Sequence, residues 1–163
     1  MHDLVIEALS SRHDRTGFSS AEPSLDEYLR KRARQDVKRQ TSRVFVATTY
    51  DNPLVILGYY TLSSLSIALN DLPEDHARRL PRHPIPAALL GRLAVRRDVQ
   101  GQGIGRLLLA DAIKRTLGVS EEIGIYAMIV DAINESAHNF YEQYGFMPLG
   151  HSSTRLFLPL KRI

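Results

Sequence analysis

The 163-residue chain contains no cysteine, which excludes a disulfide framework, a thiolate metal site and a cysteine nucleophile. Its six histidines (His2, His13, His76, His83, His138 and His151) show no pairing at metal-ligand spacing, so no metal is expected. Long apolar runs are missing as well. MHDLVIEALSSRHDR mixes charge into every short hydrophobic stretch, and nothing approaches the ~18 apolar residues of a membrane helix. A cytoplasmic protein with no membrane contact is expected. There are no internal repeats, no low-complexity tracts and no Pro/Gly/Ser linker. With 44% hydrophobic and 24% charged residues, the composition fits one globular domain spanning 1–163.

Turn and helix signals divide the chain into alternating elements. After an apolar stretch at Leu4 to Leu9, EPSLDEYLRKRARQDVK carries a capping-box pattern, with Ser24 accepting from the Glu27 amide. Leu25, Leu29, Ala33 and Val37 then recur every four residues, which predicts one helix with a buried stripe and a basic opposite face. RVFVATT at 43–49 reads as a strand, DNP at 51–53 as a turn and residues 55–67 as a long strand, giving a hairpin. Prolines at 73, 81, 84 and 86 keep any helix there brief. ALLGRLAV at 88–95 reads as a buried strand and leads into RRDVQGQGIGRLLL, followed by a helix that could run past Gly118. GIYAMIVDA at 124–132 is a strand of the kind buried on both faces. Asn134 to Tyr144 is a short helix ended by Gly145, and FMPLG and TRLFLPL are two last strands. The order is mixed α/β, with a central sheet covered by helices.

Three glycines at alternate positions, 101, 103 and 105, open the long helix. A P-loop would need Gly-Lys-Ser/Thr, but Gly105 is followed by Arg106 and Leu107. A dinucleotide fingerprint would need G-x-G-x-x-G at the first strand-to-helix turn, and this motif comes late with the wrong spacing. What remains is a loop whose amides at 100–105 face one concavity at a helix N-terminus, suited to an anion. A plain strand-to-helix turn is the alternative on spacing alone.

The neighbouring residues carry a family resemblance. Gln100, Gly103 and Gly105 match the Q/R-x-x-G-x-G/A loop of the GNAT superfamily of N-acetyltransferases, and LGRLAV resembles its signature strand. Asn134 and AHNFYEQYGF resemble its second motif. The resemblance implies an α/β (α+β) GNAT fold: a mixed, mostly antiparallel sheet of six to seven strands, splayed in the middle and flanked by about four helices. It implies acetyl-CoA as cosubstrate, with the pyrophosphate on Gln100, Gly101, Gln102, Gly103, Ile104, Gly105 and Arg106. Backbone groups of Leu93, Ala94 and Val95 would pair with pantetheine and the thioester carbonyl, and Asn134 would bond CoA, cap its helix, or do both. Donors aimed at a developing oxyanion are a strong catalytic device. Tyr141 takes the place of the family's general acid, a role that suits a phenol of ordinary pKa ~10. Tyr144, three residues on, is the runner-up, and a merely packed Tyr141 is the plain reading.

Two features concern the acceptor. No aspartate or glutamate stands out as a general base, since Asp98, Asp131 and Glu135 each have a structural role at a loop or helix start. An α-amine of pKa ~7.7–8.0 is often neutral already, whereas a lysine amine is not, so an α-amine is the better acceptor. Between residues 30 and 43 seven basic residues face one acid, Asp36. Arg30, Lys31, Arg34, Lys38 and Arg39, with Arg92, are candidate contacts to a polyanion. A merely solvated face is the alternative. Further arginines stand at 78, 79 and 82, and the 3′-phosphate of CoA could account for Arg96, Arg97 and Arg106. FSSAEPSLDEYL, GYYTLSS, HPIPAALLGRLAV and LFLPL together resemble the acetyltransferase toxins of bacterial type II toxin–antitoxin modules. That resemblance implies acetylation of the α-amine of aminoacyl-tRNA, inhibition of translation, a ribbon-helix-helix antitoxin and a homodimer, with LFLPL as a plausible contact or as core. The alternatives are a GNAT enzyme acting on a small amine or protein N-terminus, and a non-catalytic CoA-binding module.

Overall fold

The computed structural model describes residues 3–151 and 154–160; His2 lies outside them. Among these residues seven strands and five α-helices follow one another. They are β1 (Leu4–Ala8), α1 (Pro23–Lys31), α2 (Ala33–Lys38), β2 (Arg43–Thr49), β3 (Gly58–Ile67), α3 (Glu74–Ala77), β4 (Ile85–Val95), α4 (Ile104–Ser120), β5 (Ala127–Asp131), α5 (Glu135–Gln143), β6 (Met147–Pro148) and β7 (Arg155–Pro159). The sheet order is β1-β2-β3-β4-β5-β7-β6. The pairs β1–β2, β2–β3, β5–β7 and β6–β7 are antiparallel, and β4–β5 is parallel. This is the expected mixed, mostly antiparallel sheet, with five helices in place of about four. None of the helices is long and apolar enough to cross a membrane.

The extra helix comes from a break in the predicted first one. Pro23 occupies the first turn, where its missing N–H costs nothing, so the start falls two residues earlier than expected. Glu22 takes the N-cap place without a side-chain bond, and Ser24 is not a cap. At Arg32 the backbone leaves helical geometry (φ −122°, ψ −25°) before α2 begins. Across the break the Tyr28 hydroxyl donates to Asp36 Oδ2 at 2.6 Å and Ala33 is fully buried. The expected stripe Leu25, Leu29, Ala33, Val37 does pack on the core, but the Arg30, Arg34, Lys38 ladder is divided between two short helices.

The contacts group the chain into two units, residues up to Ser63 with Arg92–Lys114, and Ser64–Gly91 with Arg115 onward. β3 and β4 contribute residues to both. In the first unit Leu9, Phe18, Leu25, Tyr28, Leu29, Val44, Val46, Ile56, Tyr59 and Ala94 form one apolar cluster. The hairpin β2–β3 pairs Arg43 with Leu62 through Ala47 with Gly58. β3 starts three residues later than predicted, because residues 52–57 form a turn whose Val55 bridges only to Asp14. In the second unit Ile67, Leu72, Ile85, Ala87, Ala127, Ile129, Leu149 and Phe157 form the core. Ala127 to Val130 are all fully buried, as a doubly covered strand requires. The proline-rich segment follows a 3₁₀ turn at Leu69–Asp71, holds the single turn of α3, and passes into β4 at Ile85, three residues before the expected strand. β7 lies between β5 and β6 with Leu156 and Phe157 buried, so LFLPL is largely sheet core.

Candidate acetyl-donor and acceptor sites

The glycine loop is built within the first unit. From the end of β4 the chain makes a 3₁₀ turn at Arg97–Val99 and reaches α4 through Gly101 (φ +80°) and Gly103 (φ +88°). These two glycines occupy the left-handed region and leave open space where a side chain would stand; Gly105 has no such requirement. The first intrahelical bond, Leu107 N to Gly103 O at 3.1 Å, leaves the amides of the opening turn free to meet an anion.

The loop is braced by a segment that sequence reasoning passed over. Arg97 N donates to the Ser19 carbonyl and Arg96 N to the Leu57 carbonyl, both at 2.8 Å. The Gln100 amide donates to the carbonyls of Ser20 (2.8 Å) and Val95 (2.9 Å). Gln100, expected as a cofactor contact, therefore spends its side chain on tying the loop to the strand end. Buried Asp26 in turn accepts from Ser20 N and Oγ, at 2.9 and 2.7 Å. No local pattern marks this brace, since its partners lie about eighty residues apart. Beside it is a cavity of about 480 Å³ lined by Gly17, Ser19, Arg96, Arg97 and Asp98. Arg96 pairs with Asp98 through Nε (2.6 Å) and Nη2 (3.1 Å), and these bonds lower the Asp98 pKa.

On β4, the register with β5 runs from Ala87↔Ala127 to Leu90↔Val130, while the strand continues to Val95. Leu93, Ala94 and Val95 thus extend past the β5-paired stretch, which is how the expected splay shows itself in β4. Arg92, just before them, places its guanidinium over the Tyr28 ring. Arg30, Lys31, Arg34, Lys38 and Arg39 are all exposed on α1, α2 and the residue after. Of these only Lys31 meets a carboxylate, Glu27 at 3.4 Å. Asp36, the lone acid of the stretch, accepts from the Tyr28 hydroxyl.

The second unit holds the other motif. Asn134 caps α5, its Oδ1 accepting from Ala137 N at 2.8 Å, so the N-cap reading holds. Gly145 ends the helix at φ +94°. Tyr141 is buried (5% exposed) between the rings of Phe140 and Phe146, and no hydrogen bond ties its hydroxyl among the described residues. Burial, with the nearby Asp131 charge second, pushes its pKa well above the ordinary phenol value. The phenol therefore stays protonated, as an acid must. Tyr144 stacks edge-on against Phe140 and is less buried. Asp131 is held by Arg155 at 3.0 Å and Asp98 by Arg96, so neither is a free base.

The first unit has a loop with two left-handed glycines at a helix start, and the second has a buried phenol on an N-capped helix. The acetyltransferase (GNAT) domain family matches residues 40–148. The chain belongs to the GNAT acetyltransferases. Among curated relatives, this GNAT chain is 45% identical over 138 residues to a tRNA-acetylating toxin of Mycobacterium tuberculosis, covering 85% of the chain and 81% of the relative. It is 35% identical to the probable toxin TacT of Sinorhizobium fredii, covering 98% and 92%. Of solved structures, a tyrosine-to-phenylalanine variant of KacT superposes with a TM-score of 0.92 at 33% identity, covering 97% and 95% of the two chains. AtaT in complex with acetyl-methionyl-tRNA superposes with 0.90 at 34% identity, covering 96% and 95%. The GNAT sheet read from the sequence is therefore the fold.

Proposed function

We propose that this GNAT acetyltransferase is the toxin of a type II toxin–antitoxin module, moving acetyl from acetyl-CoA to the α-amine of aminoacyl-tRNA and so stopping translation. The observations that carry the reading are likeness over most of the chain to a tRNA-acetylating toxin and, over nearly all of it, to the probable toxin TacT and to AtaT solved with acetyl-methionyl-tRNA. The site chemistry fits. Gly101 and Gly103 leave the loop face open, and with the amides of Gln102, Ile104, Gly105 and Arg106 they suit a pyrophosphate. Acetyl-CoA supplies an activated acyl group on a thiol leaving group. Backbone groups of Leu93, Ala94 and Val95 orient that group, Asn134 contacts the donor beyond its capping bond, and the Tyr141 hydroxyl gives its proton to the departing thiolate. An α-amine, at least about half neutral near pH 8, needs no strong base, in keeping with the paired states of Asp98 and Asp131.

The exposed cations of α1 and α2, Arg30, Lys31, Arg34, Lys38 and Arg39, grip RNA phosphates. The 163 residues act as a single acetyltransferase domain in the cytoplasm, as a homodimer held in check by a ribbon-helix-helix antitoxin; solved neighbours include AtaT and KacT assemblies with AtaR and KacA. The test is a translating extract given the protein and labelled acetyl-CoA. Label on aminoacyl-tRNA is expected; label only on proteins or small amines would reject the reading.

A further inference from the structure

Arg92 stands apart from the other candidate RNA contacts. Its guanidinium carbon lies 3.6 Å from the centroid of the Tyr28 ring, the separation of stacked planes. Tyr28 is itself stacked on Tyr59, with centroids 6.4 Å apart and planes 14° from parallel. Each tyrosine is tied down through its hydroxyl, Tyr28 to Asp36 Oδ2 and Tyr59 to the Leu25 carbonyl, both at 2.6 Å. Arg92 therefore rests on a rigid base. It is only half-buried, and among the described residues no carboxylate, carbonyl or hydroxyl accepts from its five N–H groups. Asp36 accepts from the Tyr28 hydroxyl, and among the described residues no ion pair joins it to Arg92. Half-exposed, the guanidinium is solvated in the free chain and stays within a ligand's reach.

The ligand is narrowed by the geometry. Phosphates are already served by the fully exposed cations of α1 and α2, which are free to follow a backbone. Arg92 instead offers a fixed plane, and guanidinium planes are surfaces on which unpaired bases stack. It also directly precedes Leu93. At ~3.3 Å per strand residue, the Arg92 backbone lies within about 10 Å of Val95, on the strand segment proposed to hold the acetyl donor.

We propose that Arg92 is the stacking platform for an unpaired nucleobase at the aminoacylated end of the RNA, and so sets which end is accepted. This rests on the tRNA reading above and adds the kind of contact made. The test uses the full chain and an RNA hairpin with a short unpaired 3′ end carrying 2-aminopurine, whose fluorescence falls on stacking. Binding is followed separately by anisotropy of a dye in the hairpin loop. The wild-type chain is expected to bind and to quench the probe. R92K keeps the charge and loses the plane; it is expected to bind about tenfold more weakly and to leave the probe bright at saturation. R34A is expected to weaken binding while quenching at saturation persists. R92Q, planar and uncharged, keeps part of the quenching and guards against misreading an unfolded R92A, with thermal melts as the check on folding. Full quenching by R92K, or none by R92Q, assigns the contact to charge and overturns the proposal. Wild-type binding without quenching overturns it while leaving the tRNA reading intact. No binding of the hairpin by the wild-type chain removes both.

Discussion

At the scale of single residues, burial decides what the tyrosines can do. Tyr141 is raised above the ordinary phenol pKa mainly by desolvation, so its acid form persists through the neutral and mildly alkaline range. Tyr141→Phe is expected to remove most of kcat while leaving the dissociation constant for acetyl-CoA unchanged, as read by titration. Because the acid form is the working one, activity falls only as pH rises through a raised pKa. An alkaline limb in the kcat profile centred at about pH 8 to 9 would assign the acid to another group. Tyr28 is raised to about 12, by desolvation first and the Asp36 bond next. Below about pH 10 both folded and unfolded chains keep this proton. Between about 10 and 12 the unfolded chain loses it first, so stability falls across that window. Urea melts at pH ~9 and ~11 should show a smaller alkaline loss for Tyr28→Phe than for the wild type. Gly58 is a steric case. A Cβ there would sit 2.8 Å from Leu108 Cδ1 and 2.9 Å from the Ala94 carbonyl. Gly58→Ala should cost roughly 1–3 kcal/mol in a thermal or urea melt.

At the scale of elements, α5 and the α1–α2 pair carry separable duties. Asn134→Ala removes the cap from α5 and should cost about 1 kcal/mol of stability. If Asn134 also contacts the donor, the same change weakens acetyl-CoA binding in a chain that is still folded at the assay temperature. A loss of stability with unchanged acetyl-CoA affinity would confine it to capping. Reversing the charges at Arg30, Arg34 and Lys38 should weaken tRNA binding and flatten its salt dependence, by ~0.7–0.9 in log–log slope per phosphate contact removed. Acetyl-CoA affinity serves as the internal control. Unchanged tRNA affinity and slope in that variant would leave these cations as a solvated face. The break at Arg32 divides this ladder, so the three single reversals are expected to differ in size, where one continuous helix face would make them alike.

At the scale of the whole molecule, sedimentation should show a dimer of the 163-residue chain, and co-expression with a ribbon-helix-helix partner should relieve growth arrest. Much of the architecture was legible beforehand, for reasons that are local. Arg43–Thr49 is rich in the β-branched residues that strands favour, Ala127–Val130 is continuously apolar because both its faces are covered, and Asn134 and Gly145 bracket α5 with ordinary cap chemistry. The two motifs around Gly103 and Tyr141 were likewise readable, because turn glycines and a Phe-Tyr pair keep their spacing in any context. The start of α1 and its break at Arg32 were not, since helical periodicity continues through Arg32 and only the side-chain partners of Tyr28 mark the change. That the Gln100 side chain bonds the Ser20 carbonyl was not legible, because spacing says nothing about a partner eighty residues away. The sequence by itself determined the fold class, the glycine turn before α4 and the short capped helix that carries Tyr141, all set by short-range patterns of turn, period and cap. Only the tertiary structure decided that Gln100 braces the loop, that Asp36 is held by Tyr28 and that Arg92 is stacked in a fixed plane. Those outcomes depend on which distant groups meet, and a buried polar group must take whichever partner the packing brings.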